Sequence, residues 1–226
     1  MQKAAVYPAA RQNRPAPEYT KGEEIFNAVS HIVGGALGLA ALITLLIFAY
    51  PNAGYMASVA AFGVSVIVLY TMSALYHFLP RGGGKRVFRI FDHCTIFLLI
   101  AGTYTPFCVI ALGLSTLGII IIVIEWALAV LGITGNAIAM HNKVIKGISM
   151  AFYCIMGWLI LIAFGELLQK LTVAEFALLL AGGLAYTLGI IFYALGKKIK
   201  YFHSVWHLFD VAGTALQFAS LLLLLI

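Results

Sequence analysis

His203 and His207 stand four residues apart, so a helix presents both imidazoles on one face, one turn apart. Ser73 and His77 repeat that spacing earlier in the chain. Two imidazoles from one helix and a third from another make a His₃ set. Such a set leaves a fourth position open, which is the form zinc takes in catalytic sites. Asp92 supplies an acid able to hydrogen-bond a water in that position, and Asp210, three residues past His207, shares the face of the histidine pair. The chemistry this points to is metal-assisted hydrolysis. The competing reading of an i, i+4 histidine pair in an apolar helix is two packing side chains joined by hydrogen bonds. What tips the balance toward metal is the cost of placing ionisable groups in an apolar segment.

The elements that carry these residues are membrane helices. The chain has 226 residues, 63% apolar and only 10% charged, with a mean hydropathy of +1.03. Soluble domains are about 45–50% apolar and about 25% charged. That composition excludes a soluble globular domain, a disordered protein and a nucleic-acid binder. Seven apolar stretches are long enough to span a bilayer, which takes about 20 residues each. They run from about Ala28 to Tyr50, Tyr55 to Leu79, Ile90 to Leu112, Leu114 to Ile133, Ile145 to Phe164, Ala174 to Leu195 and Phe202 to Ile226. The third and fourth are separated only by Gly113-Leu114-Ser115-Thr116. The expected fold is an all-α integral membrane protein, a seven-transmembrane helix bundle. Residues 1–22, with three prolines and four basic side chains, read as a flexible tail without the pattern of a secretory signal, and 23–226 as the heptahelical membrane domain.

Seven spans put thirteen of the fourteen lysines and arginines on the side of the N-terminus, leaving only Lys170 on the other. The positive-inside rule then predicts a cytoplasmic N-terminus and an external C-terminus. Arg81, Lys85, Arg86 and Arg89 are read first as that topology signal and second as contacts to anionic lipid. All six histidines fall at the cytoplasmic ends of helices or in cytoplasmic loops. The chain returns to one leaflet each time, so His77, Asp92, His203 and His207 can converge.

Other polar residues divide between site and scaffold. Asp210 is read as a partner that orients an imidazole, or as a helix–helix hydrogen bond. Glu23, Glu24, Asn27 and Ser30 are candidates for capping the first helix, with a site role for Glu24, Asn27 and His31 as the alternative. His93, adjacent to Asp92, points elsewhere on its helix, and His141 reads as a solvated loop residue. Glu125, in the middle of the fourth span, is expected to be neutral if it faces the bundle, with a proton relay as the functional alternative. Cys94, Cys108 and Cys154 lie far apart without a CxxC and read as small buried hydrophobes.

Four segments resemble one family. Glu24-Ile-Phe-Asn27-Ala-Val-Ser30-His31, Ser73-Ala-Leu-Tyr-His77, Phe91-Asp92-His93 and His203-Ser-Val-Trp-His207 are similar to the helix motifs of the progestin and adipoQ receptor superfamily. The bare heptahelical body is most similar to its bacterial branch, the haemolysin III family. The resemblance covers roughly residues 20–226. It implies zinc held by His77, His203 and His207, with Asp92 against the zinc-bound water and Ser73 in the same site. It also implies an N-terminus inside and, through likeness to alkaline ceramidases, hydrolysis of lipid amides.

The leading expectation is therefore a multi-pass protein of the bacterial plasma membrane. It would be a Zn²⁺-dependent hydrolase of a lipid amide or ester within the cytoplasmic leaflet, with membrane lipid as substrate and no nucleic-acid partner. The alternatives are a non-enzymatic receptor or regulator of membrane state with a structural zinc, and a cytolytic haemolysin. A retinal protein is excluded, because the seventh span has no lysine for a Schiff base. Transmembrane electron transfer through two haems is excluded because the histidines crowd one face.

Overall fold

The computed structural model describes residues 19–226, so the expected tail lies largely outside the described residues. Seven helices are long and apolar enough to cross a membrane. They are α1 (Lys21–Ala49), α2 (Ala53–Phe78), α3 (Gly83–Ala111), α4 (Thr116–Ala139), α5 (Lys143–Lys170), α6 (Val173–Leu195) and α7 (Phe202–Leu225). The seven expected spans are all present, in order. Ile32, Leu37 and Ile47 of α1 and Val123 and Val130 of α4 stand exposed, an apolar outer surface suited to lipid.

The helices overrun the apolar stretches, because hydropathy marks hydrocarbon and not helix ends. α1 starts at Lys21 behind a capping box, in which the Thr20 hydroxyl accepts the Glu23 amide and the Glu23 carboxylate accepts the Thr20 amide. Glu23 therefore caps α1 as expected, whereas Glu24, Asn27 and Ser30 point into the bundle. α3 begins at Gly83, two turns before the expected Ile90. The reason is Lys85, which turns inward and is 5% exposed. Its ammonium donates to Glu24 Oε1 at 2.8 Å and to the carbonyls of His77 and Leu79 at 3.3 and 3.1 Å, closing the end of α2.

The thin boundary between the third and fourth spans is a turn in which Gly113 and Leu114 both adopt positive φ. α3 ends in a π turn over Phe107–Ala111, after Pro106, which has no amide hydrogen to give. α5 tightens to a 3₁₀ turn over Leu159–Ala163, where the Ile160 amide donates to the Tyr104 hydroxyl of α3 at 3.3 Å. Glu125 faces this distorted region and is wholly buried, with neither carboxylate oxygen partnered among the described residues.

α1, α2, α3 and α7 form the well-packed half, around Phe62, Val66, Leu69, Tyr70 and Leu221. Tyr70 ties α2 to α7, its hydroxyl lying 2.6 Å from Thr214 Oγ1 and 3.1 Å from the Asp210 carbonyl. α5 is more loosely applied, and α6 packs chiefly on α7 and leaves its other faces open: 67% of the most apolar stretch of α3 is buried within the chain, against 17% for α6.

Candidate metal centre

His77, His203 and His207 come together at the end of the bundle where α1 begins. One ring nitrogen from each lies within 4.8 Å of the others, and all three residues are buried. His203 Nε2 and His207 Nε2 are 3.3 Å apart. A tetrahedral zinc with bonds of about 2.0–2.1 Å sets its nitrogen ligands about 3.3 Å apart. His77 Nε2 is buried and has no hydrogen-bond partner among the described residues, as a nitrogen reserved for a cation requires. The group has three members; among the described residues no fourth His, Cys, Asp or Glu joins it.

α1 supplies what orients these rings. The Glu24 carboxylate accepts from His77 Nδ1 at 2.7 Å, and Lys85 holds its other oxygen. That contact places the proton of His77 on Nδ1 and turns the bare Nε2 toward the other two rings. Asn27 accepts the Ser204 hydroxyl at 2.7 Å, and its amide lies 3.5 Å from His77 Nδ1. Ser30 Oγ lies 3.5 Å from His207 Nδ1. His31 is not in the triad. Its ring stacks on His207 at 3.8 Å between centroids, with the Asp210 carboxylate 3.7 Å from its Nε2. Asp210 thus lies against His31, which in turn stacks on His207.

Asp92 is partly exposed at the edge of the site, within electrostatic reach of His77 and His203 and within hydrogen-bonding reach of buried Ser73. Its Oδ2 lies 3.4 Å from His93 Nδ1. His93 points away from the triad, as expected, and its Nε2 meets the Tyr193 hydroxyl at 3.4 Å.

Four participants were not foreseen from spacing. Lys85 was read as a topology charge and is an inward ion-pair partner. Ser204 binds Asn27. Tyr19, expected in the tail, stacks on the His203 ring at 4.7 Å and 16°, closing the triad from the N-terminal side. Burial raises its phenol pKa. Tyr193 borders His203 and Asp92. The one signal for Lys85 was its position, eight residues after His77 in a glycine-rich turn. His141 departs from expectation in being half-buried, with its Nδ1 unpartnered.

One cavity reaches the triad at His203, and a second lies beside that cavity. One, about 140 Å³, is polar and includes Asp92, His203 and the ring faces of Tyr19, Tyr76 and Tyr193. The other, also about 140 Å³, is apolar and lies between α3, α5, α6 and α7, among Ile96, Ile100, Trp158, Ile190 and Trp206. His93, Met150, Tyr153 and Tyr193 line both, so the two share a wall. Cys154, in the apolar wall, is exposed, unlike buried Cys94 and Cys108.

A profile of haemolysin-III-related proteins matches residues 19–218, from Tyr19 through most of α7. The chain belongs to the haemolysin III family. It is 41% identical over 206 residues to the Hemolysin-3 homolog of Bacillus subtilis (strain 168), covering 90% of this chain and 95% of that protein. It is 43% identical over 202 residues to Hemolysin-3 of Bacillus cereus, covering 88% and 90%. A more distant similarity, 24% over 168 residues, links this haemolysin III protein to the human monocyte to macrophage differentiation factor, covering 71% and 67%. Seven apolar helices and this family membership make it a multi-pass membrane protein.

Proposed function

We propose that this protein is a zinc-dependent hydrolase of a lipid amide or ester, working in the cytoplasmic leaflet of the bacterial plasma membrane with its N-terminus inside. The observation that carries the reading is the three-nitrogen set, which among the described residues has no fourth protein ligand. Structural zinc sites are normally closed by four protein ligands, and catalytic ones keep a position open. The distribution of basic residues supports the orientation.

His77, His203 and His207 would hold the metal through Nε2, and Glu24 and Lys85 keep the His77 ring in place. When bound in such a set, zinc supplies a Lewis acid and makes water a nucleophile at neutral pH. Asp92 is the group that takes a proton from the attacking water at its carboxylate oxygen and returns it to the leaving amine or alcohol. Ser73 donates to that carboxylate and fixes its orientation. Tyr19 shields the His203 face of the site from bulk water. The apolar cavity accepts the hydrocarbon part of the substrate, since its lining is almost wholly apolar and lies between helices.

The test uses the full chain purified in nanodiscs, with zinc quantified and hydrolysis followed on a fluorescent lipid amide and its ester. Asp92→Asn keeps the shape and removes the base. It should retain zinc and lose about 10²–10⁴ in rate. A zinc-loaded wild type that hydrolyses neither lipid, with Asp92→Asn losing metal and thermal stability, would replace this reading by a structural zinc in a regulator.

A further inference from the structure

The polar cavity beside the triad has a rim that hydrolysis does not use. Arg89, Lys146 and Lys197 border it, against the single carboxylate of Asp92. Asp92 is already engaged by Ser73 and His93. Arg89 precedes Asp92 by three residues and His93 by four on α3, so a helix places all three on one face, toward the cavity. Its Nε is buried and, among the described residues, has no acceptor. Lys197, at the end of α6, is held over the Tyr193 ring at 5.5 Å, at the cavity's edge. Arg86, Lys143 and Lys198 of the same end of the bundle are exposed and outside the cavity lining.

A second observation comes from His141, in the turn between α4 and α5. Burial first, and then the positive charges of Arg89, Lys146 and Arg86, push its pKa below the ordinary value. Three basic groups therefore lie close enough to His141 to disfavour its charge. Such crowding is relieved by an anion among them. A guanidinium fork matches the paired oxygens of a phosphate, and lysines at the rim add point charge.

We propose that this basic-rimmed cavity binds a phosphate-type oxyanion, supplied by an anionic phospholipid whose chain occupies the adjoining apolar cavity. Arg89 makes the principal contact and Lys146 and Lys197 close the rim. The lipid class acted on would then be anionic, not zwitterionic. That last step rests on the hydrolase reading; the binding itself does not.

The experiment reads binding without turnover. The full chain is equilibrated in nanodiscs of equal phosphatidylglycerol and phosphatidylcholine, extracted in neutral detergent, and its retained lipids are counted by native mass spectrometry. Wild type should be enriched in phosphatidylglycerol. Arg89→Gln should reduce the enrichment about tenfold, the usual scale for a hydrogen bond to a charged group. Lys197→Gln, on the exposed rim, should reduce it about fivefold, and Lys198→Gln, off the cavity, should leave it unchanged. If Arg89→Gln does not fold, Arg89→Lys keeps the charge without the fork and should give an intermediate value. A parallel titration with inorganic phosphate separates the sources. Arg89-dependent binding of phosphate without lipid enrichment supports the oxyanion site and assigns it to the free anion. Equal retention of both lipids by wild type, with no phosphate binding, overturns the proposal. So does an enrichment that survives in Arg89→Gln but vanishes in His207→Ala, which would put the anion on the metal. Failure of the hydrolase reading alone would appear as absent turnover with lipid enrichment intact.

Discussion

The two halves of the bundle treat polar groups differently. Where α1, α2, α3 and α7 meet, buried polar side chains are linked across helices: Glu24 serves both His77 and Lys85, Asn27 takes Ser204, and Tyr70 takes Thr214. Where α5 and α6 flank the bundle, the helices stand apart and an apolar cavity lies between them. The first half fixes directions, which is what a metal set requires: ligands hold their geometry only when their own rotamers are locked by neighbours. The second half provides space and access, which locking would remove. The proposed hydrolysis of a lipid needs both, and this chain separates them by helix.

The comparison breaks first at the triad. His207→Ala removes one of three ligands and should weaken zinc more than about 100-fold, beyond what loss of an orienting partner typically costs. The difference in Tm between zinc-loaded and chelator-treated protein should vanish in the variant, since a metal stabilises only the state that binds it. Undiminished zinc content would mean that the three rings are a packing cluster and that the ordered half has no metal to order. Glu24→Gln is a finer cut. The amide keeps the size but cannot serve His77 and Lys85 as an anion. Zinc affinity should fall about 10–100-fold. Glu175→Gln, in the capping box of α6 at the other end of the bundle, should leave it unaltered. Equal zinc affinity in both variants would show that α1 packs against the site without orienting it.

The legible parts of the molecule follow the same division. Seven spans and the His77, His203 and His207 set were readable because period, length and ligand type each leave a local mark. Lys85 was not, because hydropathy scores a lysine as loop whether it meets water or a buried carboxylate. Tyr19 was not, because its ring is set by the capping box that begins at the next residue, Thr20, and its neighbours in sequence are polar. Asp210 was placed on the right helix face, but its intermediary His31 lies on α1, and no spacing reveals which of two histidines an acid meets. Glu125 was expected to be neutral if it faced the bundle. It does face the bundle, unpartnered among the described residues, and the irregular turns in α3 and α5 are features that hydropathy does not register.

The smallest expected effect tests the packing itself. At Gly102, where α3 crosses α2, an added methyl would collide with the Ser65 hydroxyl and approach the backbone carbonyl of Ala61 at 2.8 Å. A carbonyl cannot rotate away, so α2 and α3 must part, and overpacking of this kind costs about 1–3 kcal/mol. Alanine recovers up to about 1 kcal/mol of helix propensity over glycine, so the net loss is smaller than the clash alone. At Gly183, on α6 beside the apolar cavity, the nearest atom to an added methyl is Trp158 Cη2 at 3.8 Å, an ordinary contact. There only the propensity gain operates, and Gly183→Ala should be neutral or slightly stabilising. Both variants place one methyl on a membrane helix, so unfolding measured in one detergent series isolates the difference in packing. Gly102→Ala should unfold earlier than wild type, and Gly183→Ala no earlier. Equal midpoints would mean that the α2–α3 crossing yields as readily as the α5–α6 gap. The triad would then have no stiffer support than the cavity beside it.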